Sequence, residues 1–368
     1  MHLSGIGTAL PLHDAPQSEA AELHAELSGL DPAKARTLRA LYRRSGVQRR
    51  ASVLLDRPDG PLRARQDFYR PVADEGDLGP TTAQRMARYE RAAPTLAVEA
   101  ARRALEDADV PAARVSHLVT VSCTGFVSPG VDTGIVRKLG LARGVTRTQV
   151  GFMGCHGTFN GLRVAQGFTR ADPKAVALVC SVELCSLHFA YGWDPESIVA
   201  NALFADGAGA LLCCGEQAAG SEGPDGSPSW RIRATGSVLL DDSADDMTWR
   251  IGDHGFRMTL SPRVPDVIGR DLRSWLTEWL SSFGLGLGDI ESWAVHPGGP
   301  RILDAVEGAL DLERSRTSAA REVLAAHGNM SSATILFILQ RLRRSEAPRP
   351  CVALAFGPGL VAEAALIL

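Results

Sequence analysis

The chain has little of what marks several large classes of protein. Its 368 residues carry 39 Lys and Arg against 42 Asp and Glu, a net charge of −3. This balance argues against the strongly basic surface of a nucleic-acid binder. No apolar run approaches the ~18 residues of a membrane span, and the N-terminus lacks the basic start and apolar stretch of a secretory signal. We therefore expect a soluble, cytoplasmic protein that binds small molecules rather than nucleic acid or membrane.

Cysteine is present, but not in the pattern of a disulfide framework or a metal site. Seven is an odd number, no C-x-x-C pair occurs, and most of the cysteines lie within apolar runs. The sequence therefore predicts neither structural disulfides nor a metal site. Most of the cysteines are expected to be small core residues, and one is a candidate nucleophile.

Apolar segments of strand length alternate with segments of helix length. The clearest of these apolar segments are residues 117–123, 175–182 and 350–356. Unbroken apolar runs of this length are typical of strands buried on both faces, so we expect an α/β fold. A Gly/Ser/Pro-rich stretch at 215–229 predicts the boundary between an N-terminal half, residues 1–220, and a C-terminal half, residues 221–368.

The region before the first of these strands contains two segments with helical sequence patterns, separated by a segment that is expected to be irregular. Residues 20–50 are basic with leucines at helical spacing, and an alanine-rich helix is predicted from about Thr95 to Ala108. Between them, residues 57–80 are rich in Asp, Pro, Gly and Arg, which predicts irregular backbone.

The two halves repeat one spacing. In the first half, Cys155 lies at a turn 32 residues after a buried strand that ends at Cys123. In the second half, Asn329 lies at a turn 33 residues after a strand that ends at His296. Reactive groups in such sheets gather where strands end and helices begin. The repeat therefore predicts that Cys155, His296 and Asn329 lie together.

Each of these residues fits nucleophilic chemistry, and each has a structural alternative. Cys155 lies in a Gly-Cys-His-Gly turn before a helix, where the helix dipole favours a thiolate. The glycines favour a nucleophile over a buried structural cysteine. His296 can pair with the thiolate or be satisfied within its turn, and Asn329 can donate to an oxyanion or serve turn chemistry.

Four segments resemble the type III polyketide synthases, the chalcone synthase-like branch of the thiolase superfamily. They are GCHGTFNGLRVA around Cys155, VHPGGPRILDAVE around His296, GNMSSATILFIL around Asn329 and FGPGLVAEA near the C-terminus. The resemblance runs from the basic helical segment to the C-terminus. It implies a thiolase-like αβαβα layered fold from two similar halves, a homodimer, and no metal or organic cofactor.

The resemblance also implies a reaction. The Cys155 thiolate takes an acyl starter from a CoA thioester, and malonyl-CoA then loses CO2 to give an enolate held by His296 and Asn329. A Claisen condensation extends the acyl group, and cyclisation or lactonisation releases the product. The starter, the number of extensions and the mode of ring closure stay open.

The same resemblance suggests residues that line the substrate pocket. Phe204 matches a gate between the CoA tunnel and the cavity, with a core aromatic as the alternative, and Met258 replaces the partner phenylalanine of the plant enzymes. Trp249 stands where the plant pattern has glycine, which predicts a narrowed cavity unless the indole turns into the core or the dimer contact. The other predicted pocket residues are Cys123, Cys185, His188 and Ser331. These departures suggest a bacterial-type enzyme and argue against a chalcone product.

Binding of CoA is predicted on the basic segment. Arg44 matches a phosphate-binding cation of the family, and Arg39 and Arg43 are adjacent, whereas Thr37 and Ala40 replace two other cations. Loss of two cations leaves room for an acyl carrier protein as the donor.

Two alternatives for the whole chain also stay open: a ketoacyl synthase III or hydroxymethylglutaryl-CoA-type condensing enzyme, and a non-catalytic thiolase-fold partner.

Overall fold

The computed structural model describes residues 1–74, 76–218 and 230–368. The strands in these ranges are β1 (His2–Ala9), β2 (Asp14–Pro16), β3 (Arg49–Ala51), β4 (His117–Ser122), β5 (Thr146–Gly151), β6 (Val176–Leu184), β7 (Asp206–Cys214), β8 (Trp230–Leu239), β9 (Met247–Gly252), β10 (Gly255–Leu260), β11 (Ser292–Val295), β12 (Cys351–Gly357) and β13 (Val361–Ile367). The α-helices are α1 (Gln17–Leu27), α2 (Pro32–Arg44), α3 (Thr82–Asp107), α4 (Val131–Leu139), α5 (Gly157–Ala171), α6 (Pro195–Leu203), α7 (Val264–Ser281), α8 (Pro300–Leu310), α9 (Ser318–His327) and α10 (Thr334–Arg344).

Nine strands form a mixed sheet whose two parts repeat one strand order. The order is β4, β6, β7, β1 in the first part, with β5 beyond β4, and β11, β12, β13, β8 in the second. In both parts the first pair is parallel and the next two pairs are antiparallel. The parts join where His2 and Leu3 of β1 pair with β8. The predicted duplication is confirmed, and its predicted boundary at residues 220 and 221 lies outside the described residues.

The helices complete five layers. Helices α5 and α10 contact strands of both parts of the sheet and form the middle layer. Helix α3 covers the outer side of the first part, where it contacts β1, β6 and β7. On the other side, Trp279 of α7 lies against Gly236 of β8. This arrangement confirms the αβαβα fold that the sequence predicts.

The N-terminal region differs in detail from its sequence pattern. The basic segment forms two helices because Asp31 caps α2 through the N–H groups of Ala33 and Lys34, both at 2.9 Å. Helix α3 begins at Thr82, 13 residues before the predicted start, behind a capping box of Thr81 and Gln84. In the described part of the chain, no helix is long and apolar enough to span a membrane.

Candidate active site

Cys155 lies at a sharp turn between a strand and a helix. Strand β5 ends at Gly151, and a single 3-10 turn that contains Cys155 leads directly into α5. Within that turn Gly154 has φ of +70°, and a Cβ there would lie 2.4 Å from Cδ of Pro358. The turn therefore requires glycine. The predicted position of Cys155 at a helix start is confirmed.

His296 and Asn329 reach the same region from the second half of the chain. His296 follows β11, and its backbone N–H donates to the carbonyl oxygen of Leu354 at 2.8 Å. Asn329 lies between α9 and α10. Its N–H donates to the Leu203 carbonyl oxygen at 2.8 Å, and its own carbonyl oxygen accepts from the N–H of Ala205 at 2.9 Å. Backbone bonds thus hold both residues in place.

The three residues line one small chamber. Cys155, His296 and Asn329 border about 470 Å³ of unfilled space, together with Phe204 and Met258. The predicted trio and the predicted gate pair are therefore brought together in space. The spacing predicts this grouping because His296 follows a strand, β11, whereas Cys155 and Asn329 lie just before α5 and α10, the corresponding helices of the two halves.

Two side chains in the chamber keep polar atoms without partners among the described residues. Both ring nitrogens of His296 are unpaired, and so is Nδ2 of Asn329. Oδ1 of Asn329 accepts from the N–H of Ser331 at 2.8 Å and the hydroxyl of Thr334 at 3.4 Å, which fixes the amide with its nitrogen free. A buried unpaired polar atom costs ~1–3 kcal/mol, so such donors beside a thiol indicate a place for a ligand oxygen.

Burial controls the protonation of Cys155 and His296. It raises the pKa of Cys155 to about 12; the Ser331 hydroxyl and the Asn329 amide lower that pKa in part, and the Glu183 carboxylate raises it further. Burial also lowers the pKa of His296 to about 3, with a smaller contribution from His156. A thiol and a neutral imidazole therefore form the resting pair. The sequence predicts a thiolate here, but desolvation outweighs the helix dipole.

A larger cavity meets the chamber at Cys155, Phe204 and Met258, which line both. It holds about 1360 Å³ of unfilled space, including its open part. The remaining predicted pocket residues all line it: Cys123, Cys185, His188, Trp249 and Ser331. Phe204 and Met258 thus lie at the junction of the two spaces, where a gate is predicted.

Trp249 forms part of the cavity wall rather than of the core. Its indole N–H donates to the carbonyl oxygen of Cys123 at 2.8 Å. Its ring meets His188 edge-to-face at 5.4 Å and Phe256 at 5.8 Å between centroids. These contacts fix the indole at the wall of the larger cavity.

His188 lines the cavity but uses both of its ring nitrogens to bind protein. Nε2 lies 2.7 Å from the Thr124 carbonyl oxygen, and Nδ1 lies 3.0 Å from the backbone nitrogen of Phe256. Burial lowers its pKa to about 3, so the ring is neutral, with Nε2–H as donor and Nδ1 as acceptor. His188 therefore holds β10 against the loop after β4.

Sequence reasoning missed Glu183, a buried carboxylate behind the site. It accepts hydrogen bonds from the N–H of Cys123 at 3.0 Å and the hydroxyl of Thr124 at 2.7 Å, and also from the hydroxyl of Ser332. Burial raises its pKa. Glu183 thus ties the end of β4 to the turn before α10. Its position inside the apolar strand β6 is the signal that could have revealed it.

A second missed residue is His156, which directly follows Cys155. It is buried, and its Nδ1 bonds to Oδ1 of Asn160 at 3.0 Å. Asn160 in turn donates to Glu363 at 3.2 Å, so a buried polar chain lies directly behind the turn that carries Cys155.

The predicted CoA-binding arginines lie outside both cavities. Arg39 is held by Glu22 in a bidentate ion pair, with distances of 2.6 and 2.8 Å. Arg43 and Arg44 are exposed in the last turn of α2, and in the described ranges neither forms an ion pair with a carboxylate. Helix α2 packs against α6, which ends next to Phe204.

A buried cysteine beside free hydrogen-bond donors, at the meeting point of two duplicated halves, defines a thiolase-type condensing enzyme. The family models for chalcone and stilbene synthases match residues 2–217 with the N-terminal domain and residues 232–368 with the C-terminal domain. The chain belongs to this family, the type III polyketide synthases, and is an acyltransferase that forms carbon–carbon bonds from malonyl units.

Individual relatives agree with this assignment. The chain is 33% identical to the alpha-pyrone synthesis polyketide synthase-like protein Pks18 of Mycobacterium tuberculosis, over 99% of this chain and 90% of that protein. It is 35% identical to the 1,3,6,8-tetrahydroxynaphthalene synthase of Streptomyces peucetius subsp. caesius, over 99% and 92%. The crystal structure of PKS-I from the brown alga Ectocarpus siliculosus matches with a TM-score of 0.89 and 29% identity, over 99% and 97%. The predicted fold and reaction class are confirmed, and neither alternative is favoured.

Proposed function

We propose that Cys155 carries the acyl group and that His296 and Asn329 hold the oxygen atoms that gain charge during the reaction. The supporting observation is that donors without protein partners border the same chamber as the thiol. A neutral imidazole offers one N–H donor and one acceptor nitrogen. His296 can therefore accept the thiol proton and can also donate to an oxygen.

Loading begins from the thiol. The Cys155 proton passes to the acceptor nitrogen of His296 as sulfur attacks the acyl carbon of the starter thioester. The bond from the acyl carbon to the CoA sulfur breaks, and the proton returns to that leaving sulfur. Since the thiol pKa is about 12, substrate binding and His296 must together assist deprotonation.

Extension uses the same donors. A malonyl thioester loses CO2, and the electron pair of the broken carbon–carbon bond forms an enolate. Its oxygen accepts hydrogen bonds from Nδ2 of Asn329 and the N–H of His296. The enolate carbon then attacks the acyl carbon on Cys155, and the thiolate leaves. Donors that act on developing negative charge stabilise the transition state more than the bound substrate.

We further propose that the enzyme adds only a few malonyl-derived units to an acyl starter and releases the product as a lactone. Trp249 fills space near the reacting centre, whereas the larger cavity continues away from it past Leu54 and Tyr69. This distribution of space favours a bulky starter over a long polyketide. One relative carries alpha-pyrone synthesis in its name, which is consistent with a lactone product.

Exposed cations suggest how the thioester donor binds. Arg43 and Arg44 are free to meet the phosphates of CoA, whereas Arg39 is paired with Glu22. We therefore propose CoA thioesters as substrates of this enzyme, without a metal or organic cofactor. An acyl carrier protein is the competing donor.

The proposed assembly is a homodimer that uses the edge beside β5. Phe126 and Met153 are exposed by 36% and 39%, and the Phe126 and Phe152 rings lie 5.8 Å apart. An exposed apolar patch at a sheet edge fits burial against a second copy. Ser128 lies in the same loop as Phe126 and is also exposed.

The reaction is tested by incubating the protein with isotopically labelled malonyl-CoA and a panel of acyl-CoA starters, followed by mass spectrometry. We expect products equal to a starter plus two or more malonyl-derived units, closed as a ring. Linear products with one added unit would indicate a ketoacyl synthase III instead. Absence of product, with the fold intact, would contradict catalysis.

A further inference from the structure

A row of polar side chains connects the protein surface to the turn that carries Cys155. His156 follows that residue directly and is 2% exposed. Its Nδ1 lies 3.0 Å from Oδ1 of Asn160, and Nδ2 of Asn160 lies 3.2 Å from Oε1 of Glu363. At the outer end, Arg163 forms an ion pair with the same carboxylate, and its side chain is 42% exposed. We name His156, Asn160, Glu363 and Arg163 the polar network.

The carboxylate determines the direction of every hydrogen bond in the polar network. Glu363 accepts from the Arg163 guanidinium and from the hydroxyl of Ser237 at 2.9 Å, and an ionised carboxylate has no proton to donate. Asn160 therefore presents its Nδ2 to Glu363 and its Oδ1 to His156. Since Oδ1 can only accept, Nδ1 of His156 carries a hydrogen and donates it. Nε2 is then the ring nitrogen that gains or loses a proton.

The ring of His156 is held on two sides. Gly357, the last residue of β12, lies against it so closely that a Cβ there would be 2.2 Å from Cδ2 and 2.7 Å from Nε2 of the ring. Asn160 holds the ring through Nδ1. The imidazole therefore keeps a fixed place behind Cys155, so a change in its charge can act on the site without movement of the backbone.

The titratable and charged groups around His156 come from several elements. Cys155 precedes it in the same 3-10 turn, Arg163 lies on α5, and Glu363 lies on β13. His296 follows β11 and is close enough for the charge of His156 to act on it. Strand β12 contributes an uncharged glycine to the contact. One anion and one cation of the polar network therefore act on this histidine, and the histidine acts on the proposed base.

Burial is the main influence on the protonation of His156 and lowers its pKa below 6.5. The hydrogen bond to Asn160 and the charge of Glu363 raise that pKa in part, whereas Arg163 lowers it. His156 in turn lowers the pKa of His296, because two neighbouring positive charges repel each other. At neutral pH His156 is therefore uncharged. A proton on its Nε2 would make His296 a weaker base.

We propose that His156 is a positioning residue whose charge controls how readily His296 accepts the proton of Cys155. The inference rests on the proposed function, in which that proton transfer begins acyl loading. An uncharged His156 leaves the base able to take the proton, whereas a charged His156 opposes a second positive charge on His296 and slows loading. Glu363 and Arg163 act on this step through His156, although neither of them borders the chamber.

The test is the pH dependence of acyl loading from one acyl-CoA, followed by intact-protein mass spectrometry from about pH 5 to about pH 8. In the wild-type protein, kcat for loading should fall on the acid side as His156 gains its proton, and KM should stay constant because the polar network does not touch substrate. Glu363→Gln removes a negative charge, lowers the pKa of His156 and should move this fall to lower pH. Arg163→Gln removes a positive charge and should move it to higher pH.

Two further variants complete the series. His156→Phe keeps an aromatic ring beside Gly357 but cannot take up a proton, so the acid-side fall should be lost. Arg170→Gln is the matched control, because Arg170 is an exposed arginine on the same helix, α5, outside the polar network. It should leave the pH profile unchanged. Circular dichroism at each pH verifies that every variant is folded where its rate is measured.

Opposite shifts in the two charge variants are the decisive result, since damage to packing would not depend on the sign of the charge removed. Identical profiles in the wild type, Glu363→Gln and Arg163→Gln, or shifts in one common direction, would overturn the role of His156 while loading itself continues. Absence of loading in the folded wild-type protein would overturn the proposed function instead. If His156→Phe does not fold, the two charge variants decide the question by themselves.

Discussion

The indole N–H of Trp249 donates a hydrogen bond to the carbonyl oxygen of Cys123 at 2.8 Å. The bond joins the β9–β10 hairpin of the second half to the end of strand β4 in the first half. His188 reinforces the same junction, because it binds Thr124 beside Cys123 and the backbone of Phe256 in the hairpin. The cavity wall is therefore held from two sides, close to Cys155.

Replacing Trp249 with glycine should allow longer or bulkier products. The indole occupies room that a growing chain or starter would otherwise fill, since a buried aromatic contributes ~150–250 Å² of surface. Product masses from a starter panel give the measurement. Trp249→Phe is the control: it loses the N–H but keeps most of the ring, so product size should change little. Unchanged products with a loss of ~3–5 kcal/mol of unfolding free energy would indicate a purely structural tryptophan.

Asn329→Ala should slow malonyl-CoA decarboxylation more than starter loading. Loss of one donor to a developing oxyanion typically costs ~10²–10³ in rate. Asn329→Asp keeps the acceptor that binds the N–H of Ser331 and replaces the Nδ2 donor by a carboxylate oxygen, so it also adds a negative charge beside the enolate and should slow decarboxylation further. Release of labelled CO2 gives the rate. Wild-type decarboxylation in Asn329→Asp would exclude the donor role.

The double variant Arg43→Ala, Arg44→Ala should raise KM for acyl-CoA by at least about 10-fold, because the loss of even one hydrogen bond to a charged group costs ~1.5–3 kcal/mol. KM for the matching acyl-pantetheine thioester, which lacks the nucleotide, should not change. Arg39→Ala is the control, since Glu22 already holds that guanidinium. Equal KM for acyl-CoA in wild type and double variant would favour a carrier-protein donor.

Stability should fall as pH drops from 6.5 to about 5. The pKa values of His24, His188 and His296 are lowered from 6.5 to about 3 by burial. The unfolded chain therefore binds more protons than the folded chain in this window. Each histidine should cost about 2 kcal/mol of unfolding free energy at pH 5 relative to neutral pH. Urea unfolding at the two pH values measures the change. A flat profile would mean that these rings are charged or exposed in the folded state.

The layered fold and the grouping of Cys155, His296 and Asn329 could be predicted because they follow from local patterns that occur twice. The positions of Cys155, His296 and Asn329 within each half follow from local patterns. These are the apolar strand patterns of β4 and β11 and the helix starts of α5 and α10. Duplication then places the two halves face to face. The start of α3 is displaced from the predicted position, because Pro94 within that helix resembles a helix boundary in the sequence.

Other features depend on contacts between residues far apart in the chain. Glu183 gains its role from Cys123, Thr124 and Ser332, which come from two segments that are far from Glu183 in the sequence. The resting thiol of Cys155 results from burial, which no local motif reports. The part of the larger cavity under α1 is formed by that helix and by the irregular segment around Leu54 and Leu62, whose packing no periodicity describes.

The central claim is that Cys155 alone carries the acyl group, and mapping of the acyl adduct tests it most directly. Three thiols line the larger cavity, those of Cys123, Cys155 and Cys185, and burial raises the pKa of all three. After brief incubation with an acyl-CoA and an acid quench, peptide mass spectrometry locates the modification. We predict the adduct on Cys155 only, and none in Cys155→Ala. An adduct on Cys123 or Cys185 that persists in Cys155→Ala would contradict the account.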